Sequence, residues 1–338
     1  MKAVLVHSPG GTEALHYTPH HPIPPCPPGH ILIRNHYAGL NFIDTYHRSG
    51  LYPREPPFLL GQEGGGIIAS LPENDDTIAQ LGWKTGDRVV YGSFGSYAEF
   101  TPVPIDKVIP VPPDMDMKTA VACITQGLTA HYLSSSVGNG IAHRGDWVLV
   151  YAVGGGTGQW TAQMCKLRGF RVIGTTSRCK AGEVANVCDE LIVLENEPSK
   201  SYGDYTSVDI ASRVKEITDG RGCKLIIDGV GKATYEISLN CLARRGLFVS
   251  FGNASGAVPP FPVLRLLPQS AYVTRPKLND YVSTREELMQ RAEEVFGWVI
   301  DGKLKIRIDR VFALEDVKDG HEYLENGGGN GKILFKID

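Results

Sequence analysis

The apolar run WVLVYA (147–152) leads directly into Val153-Gly154-Gly155-Gly156-Thr157-Gly158, and QWTAQMCKLRG follows with helical periodicity up to Gly169. Few folds accommodate that order. A buried strand, a glycine turn and an amphipathic helix make a βαβ unit when a second apolar run follows at the right distance, and FRVIGT (170–175) does so. Glycines let the backbone approach a pyrophosphate closely, while N–H groups and the dipole at the helix start stabilise its charge. The spacing reads GxGxG rather than a strict GxGxxG, so the flanking strand and helix carry the assignment of Gly155, Gly156, Thr157 and Gly158 to a dinucleotide pyrophosphate. A glycine turn that serves only the fold would leave the second strand unexplained.

Three further strands are legible: ELIVL (190–194), KLIID (224–228) and LFVSFG (247–252). Between the first two of these, VDIASRVKEITDG places Ile210, Val214 and Ile217 on one helical face and stops at Gly220. Alternation of this kind predicts a doubly wound parallel sheet. Upstream, from Met1 to about Thr119, period-two apolar runs broken by Gly and Pro predict an antiparallel, barrel-like β domain. Past Thr274 come a charged helical segment, TREELMQRAEEVFGWVI, a short helix near Leu314 to Leu324 and a closing strand, KILFKID. The simplest arrangement returns this tail to the first domain. The expected architecture is α/β: residues 1–122 and 275–338 form a discontinuous catalytic domain, and residues 123–274 form a nucleotide-binding domain inserted within it.

The second strand ends in Gly174-Thr175-Thr176-Ser177-Arg178, with no Asp or Glu about twenty residues after the glycines to take a ribose 2′-hydroxyl. Hydroxyls from Thr176 and Ser177 and the cations of Arg178 and Lys180 suit a 2′-phosphate instead, which selects NADPH over NADH.

Composition closes off several classes. The seven cysteines are scattered without a CxxC pair, so neither a disulfide framework nor a cysteine-rich zinc site is expected. Net charge is −3 without a long basic run, which disfavours nucleic acid as a partner. No apolar run approaches membrane-spanning length, and MKAVLVHSPGG reads as a strand entering a turn, so a cytoplasmic protein is expected.

The motifs GLNFIDTYHRSGLYP (39–53), GQEGGG (61–66), GDRVV (86–90), QGLTAHYL (126–133), RRGLFVSFGNASGAV (244–258), YVTRP (272–276), TREEL (284–288) and GKILFKI resemble, end to end, the zinc-independent medium-chain dehydrogenase/reductases of the NADPH:quinone oxidoreductase, or zeta-crystallin-like, group. The resemblance implies a GroES-like β-barrel domain and a Rossmann domain with the active site in the cleft between them. It also implies that Asn41, Phe42, Asp44, Tyr46 and Tyr52 line the nicotinamide and substrate pocket, that Thr129 contacts the nicotinamide, and that Ser250, Phe251, Gly252 and Asn253 hold the nicotinamide mononucleotide half. In the group the segment around Tyr272 to Arg275 tends to join a partner subunit, so a homodimer is implied. Departures are Gln126 where relatives commonly have Lys, Glu195 near the place of a tyrosine, and Gly327 near that of a C-terminal arginine.

Zinc-dependent relatives hold the metal with Cys, His and Cys, and here those places read Asn41, Gln62 and Thr125, so no metal is expected. Without a Lewis acid, the acceptor must itself delocalise incoming charge, as quinones and conjugated carbonyls do. The reading is direct hydride transfer from NADPH to a quinone, with Asn41 on the acceptor's carbonyl oxygen and Tyr46 or Tyr52 as proton donor. An enone, alkenal or enoyl-thioester reductase is the alternative, and a crystallin or RNA-binding role is a third reading from a different class.

Overall fold

The computed structural model describes residues 1–72, 76–196 and 203–338. The chain forms two compact units. One comprises Met1–Leu128, Val282–Glu325 and Lys332–Asp338, and the other Thr129–Tyr281 with Asn326–Gly331.

In the second unit six parallel strands form one sheet in the spatial order Glu190–Leu194, Arg171–Ser177, Trp147–Val150, Cys223–Asp228, Leu242–Ser250 and Tyr272–Thr274. Numbered along the chain this is 3-2-1-4-5-6, the Rossmann order, in which ligands gather at the carboxyl ends of the strands where the order reverses. All four residues of Trp147–Val150 are buried, as a central strand covered on both faces requires. That strand stops earlier than the apolar run suggests, because Ala152 adopts a left-handed φ of 54° as the chain bends into the glycine turn. The helix over Ile210–Ile217 buries Ile210 and Val214, and the Asp209 side chain caps it through Ser212 N at 3.0 Å. The sixth strand, Tyr272–Thr274, lies at the edge of this sheet.

The first unit holds a seven-stranded sheet whose path runs Ile308–Ala313, Lys332–Lys336, His30–Leu40, Gly64–Ser70, Arg88–Tyr91 and Val108–Pro110, with Phe100–Pro104 also paired to His30–Leu40. Pairing is antiparallel except between Ile308–Ala313 and Lys332–Lys336, which run parallel. The closing strand therefore lies between the first domain's long strand and a strand that sequence periodicity did not reveal. Residues 123–128 side with this unit: a π-turn at Cys123–Gly127 extends the helix Met117–Ala122 and delivers Thr125 N to Glu63 Oε2 at 2.6 Å.

Away from the strand ends, Arg48 is buried and donates to Glu325 through two hydrogen bonds of 2.7 and 2.8 Å. It also donates to His321 Nδ1 at 3.0 Å. Because arginine only donates, His321 is neutral with its proton on Nε2. Burial, aided by the Arg48 cation, pushes His321 down to about 3 from an ordinary 6.5. Between those two values the unfolded chain binds a proton that the folded chain refuses, so this group removes stability as pH falls through the window. The expected loss is about 1.4 kcal/mol per pH unit at most. Asp44, raised to about 7 by burial, acts in the opposite sense across the same range. Comparing wild type with His321→Asn isolates the histidine: denaturant midpoints should converge on acidification from pH 6.5, and parallel curves would refute the assignment.

Candidate active site

The glycine turn opens the helix Gly156–Leu167 with Gly155 as an extended N-cap (φ −95°, ψ 165°) that makes no side-chain cap. The first-turn N–H groups of such a helix lack intrahelical acceptors and point at whatever lies beyond. Each glycine has its own reason. A Cβ at Gly158 would collide with the Ala152 carbonyl oxygen, and one at Gly154 would sit 2.6 Å from Thr176 Oγ1. A Cβ at Gly155 would meet only the Ala152 oxygen, at 3.4 Å, so the protein's own packing does not demand glycine there. A ligand lying against the turn would.

Thr176 is buried at the end of Arg171–Ser177, and its Oγ1 has no hydrogen-bond partner among the described residues. An orphaned hydroxyl beside a glycine cradle fits a bound polar group. The neighbouring cations are engaged within the protein: Arg178 forms a bidentate ion pair with Glu195, and Lys180 Nζ donates to Gly329 O at 2.6 Å. The Ser177 hydroxyl lies 3.4 Å from Cys179 Sγ. The segment Asn326–Gly331 is fixed further by Asn330, which accepts from Gln159 at 3.1 Å and donates to Glu183 at 2.5 Å.

At the end of Leu242–Ser250, Ser250 and Asn253 are buried, and Phe251 packs where a Cβ on Gly229 would fall. Arg275, one residue past the sixth strand, donates to Ser250 Oγ at 3.1 Å and to Gly252 O at 3.0 Å. Sequence reasoning placed Ser250 to Asn253 here but missed Arg275 as their brace. Thr129 lies, half-buried, on the helix Leu128–Ser135.

In the first unit, Asn41 precedes the helix Phe42–Arg48 and is buried within a polar network. Its Nδ2 donates to Glu63 Oε1 at 2.7 Å, and its Oδ1 accepts from Lys332 Nζ at 2.9 Å. Lys332 Nζ also contacts Glu63 directly, both side chains being fully buried. Glu63 thus ties Asn41 to Thr125, with an ammonium group against it. Burial pushes Lys332 down to about 7, while the carboxylate in contact favours the charged form. Asp44 is wholly buried, and its Oδ2 accepts from Asn41 N at 2.8 Å and Tyr97 Oη at 3.1 Å. Asp44 therefore braces Asn41 rather than presenting an open carboxylate. Gln126 is buried too, and its Oε1 has no partner among the described residues.

Tyr46 and Tyr52 are brought together, their rings edge to face with centroids 5.3 Å apart, and Phe42 lies 6.4 Å from Tyr46. Tyr46 is buried and Tyr52 half-buried. Lys332, Glu63 and Tyr97 are the functional candidates the sequence reading passed over. A lone acid among glycines in GQEGGG and a lysine opening an apolar strand are the signals that mark Glu63 and Lys332. No group of three or more His, Cys, Asp or Glu among the described residues is arranged to hold a metal ion.

Residues 27–113 match the family described as alcohol dehydrogenase GroES-like domain, and residues 200–334 match the family described as zinc-binding dehydrogenase. The chain is 38% identical over 320 residues to a quinone oxidoreductase of Pseudomonas aeruginosa, covering 93% of each. It is 36% identical over 338 residues to quinone oxidoreductase 1 of Escherichia coli, covering 97% of each. A solved structure of the Escherichia coli quinone oxidoreductase complexed with NADPH superposes with a TM-score of 0.90 at 34% identity, covering 100% of both chains. With its GroES-like and Rossmann units and these relatives over nearly its whole length, the chain belongs to the quinone oxidoreductase family of medium-chain dehydrogenase/reductases.

Proposed function

We propose that this protein reduces quinones with NADPH by direct hydride transfer, without zinc. The observation that carries this reading is the donor set: Asn41, Gln62 and Thr125 stand where zinc-dependent relatives have thiolate and imidazole ligands, and the first and last are tied to Glu63. Amide and hydroxyl groups are poor substitutes for those ligands. An acceptor that spreads the incoming charge over its own conjugated carbonyls suits such a site.

Gly155, Gly156, Thr157 and Gly158 would hold the pyrophosphate, Thr176, Ser177, Arg178 and Lys180 the 2′-phosphate, and Thr129 with Ser250, Phe251, Gly252 and Asn253 the nicotinamide half. When bound, NADPH supplies the hydride from C4 of its nicotinamide. The protein's share is orientation: Asn41, its amide fixed by Glu63 and Lys332, hydrogen-bonds the acceptor's carbonyl oxygen, and the hydroxyl of Tyr46 or Tyr52 delivers a proton. Phe42 flanks them.

A cytoplasmic homodimer completes the reading. Val263, Leu264 and Leu267 are 79%, 76% and 71% exposed, next to the edge strand Tyr272–Thr274, and an exposed apolar patch at a sheet edge suits a second copy. No helix among the described residues is long and apolar enough to cross a membrane. Steady-state NADPH oxidation against quinones and α,β-unsaturated carbonyls tests the function: quinones should give the higher kcat/KM, and preference for enones or alkenals would replace the reading.

A further inference from the structure

The six-stranded sheet sets the tips of its second and third strands side by side, since Arg171–Ser177 and Glu190–Leu194 pair in parallel with Ser177 opposite Leu194. The next residues, Arg178 and Glu195, consequently face each other. Arg178 Nε reaches both carboxylate oxygens of Glu195 at 3.1 Å, and Nη2 closes on Oε1. Hydrogen bonding to the guanidinium lowers Glu195 below the usual carboxylate range, so it is anionic at neutral pH. The pair is exposed, at 65% and 55% of the side chains.

The position matters because the tip of the second Rossmann strand is where a dinucleotide's adenosine ribose is read: an acidic side chain favours a free 2′-hydroxyl and a cation favours a 2′-phosphate. This chain has both, bound to each other. A phosphate arriving at Arg178 meets a guanidinium fork already filled by a carboxylate and an anion beside it. We propose that Glu195 is a specificity-determining residue, holding Arg178 in an ion pair that a 2′-phosphorylated cofactor must open, so that discrimination between NADPH and NADH is weaker than Arg178 alone would give. The inference rests on the NADPH reading above and adds an opposing residue to it.

The test is calorimetric binding of adenosine 2′,5′-bisphosphate and of 5′-AMP to the full-length wild type, Glu195→Gln, Arg178→Ala and the double variant. Both side chains are exposed, so folding should survive, and circular dichroism checks it. Glu195→Gln is expected to tighten the bisphosphate about fivefold, the upper end for freeing an exposed pair, and to leave 5′-AMP unchanged. Arg178→Ala should weaken the bisphosphate, and in that background Glu195→Gln should have little effect. If Arg178→Ala weakens the bisphosphate but Glu195→Gln leaves it unchanged or weakens it, Glu195 does not oppose the phosphate and the inference fails alone. If the wild type binds bisphosphate no tighter than 5′-AMP and Arg178→Ala changes nothing, the NADPH assignment fails with it.

Discussion

Lys332→Met is expected to lower the free energy of unfolding by about 3–5 kcal/mol, the range for stripping one partner from a buried ion pair. In the wild type the Lys332 ammonium contacts Glu63, donates to Asn41 Oδ1 at 2.9 Å and is inaccessible to water. Methionine fills much of the same volume, so the cost comes from charge rather than from a void. Among the described residues, the Glu63 carboxylate is left with the Asn41 amide and Thr125 N as partners. Lys332→Met/Glu63→Gln removes both charges and should regain most of the loss, because a neutral pair has far less desolvation to offset. Activity should follow a different course. Both variants release the Asn41 oxygen, so kcat/KM with quinone should fall on the order of 10- to 100-fold even where stability recovers. Urea denaturation with steady-state kinetics checks both parts, and a single variant as stable as the wild type would contradict the role given to the pair.

Gly158→Ala and Gly155→Ala should separate what the fold needs from what the ligand needs. At Gly158 the new methyl collides with the Ala152 carbonyl and lies 3.0 Å from Val153 Cα, all backbone atoms that cannot swing away. The turn must open, with a stability loss of about 1–3 kcal/mol and NADPH binding weakened by about 100-fold. At Gly155 the backbone already lies in a region open to any residue, and the nearest atom is 3.4 Å away. Gly155→Ala should therefore melt within a few degrees of the wild type yet bind NADPH at least about tenfold more weakly, because the methyl occupies the cradle. Fluorescence titration of NADPH with thermal melts measures both. Unimpaired binding in Gly155→Ala would remove the pyrophosphate from this turn.

Local pattern carried most of the Rossmann unit into view. Ile210, Val214 and Ile217 at helical spacing, with Gly220 as a stop, mark a helix that forms as Ile210–Ile217. Boundaries were harder. The fifth strand begins at Leu242, five residues before its apolar run, and the exposed Arg244 and Arg245 fall where its register against Cys223–Asp228 shifts between Leu242 and Leu247. The strand Ile308–Ala313 was missed for a similar reason: neither face is well buried, so it shows no alternation.

The site was less legible than the fold. Residues near one another in the chain, such as the glycine turn and the pair Tyr46 and Tyr52, announce themselves through spacing. Glu63 and Lys332 meet across 269 positions, and Arg48 and His321 across 273. No local signal encodes such a meeting, and a lysine at a strand's start reads as a solvent-facing charge until the strand is placed between two others in the sheet. Asp44 shows the converse. Its motif was readable, but only the fold turns its carboxylate inward onto Asn41 N and Tyr97 Oη.

The proposed reaction is metal-free hydride transfer from NADPH to a quinone. Its most direct measurement is anaerobic single-turnover oxidation of NADPH carrying deuterium at the transferred C4 position, with 1,4-benzoquinone as acceptor, before and after exhaustive chelation. NADPH should be consumed in step with quinone reduction, more slowly with deuterium, and at the same rate after chelation. Quinone reduction that stops on chelation and returns with added zinc, or that leaves the deuterated position untouched, would contradict it.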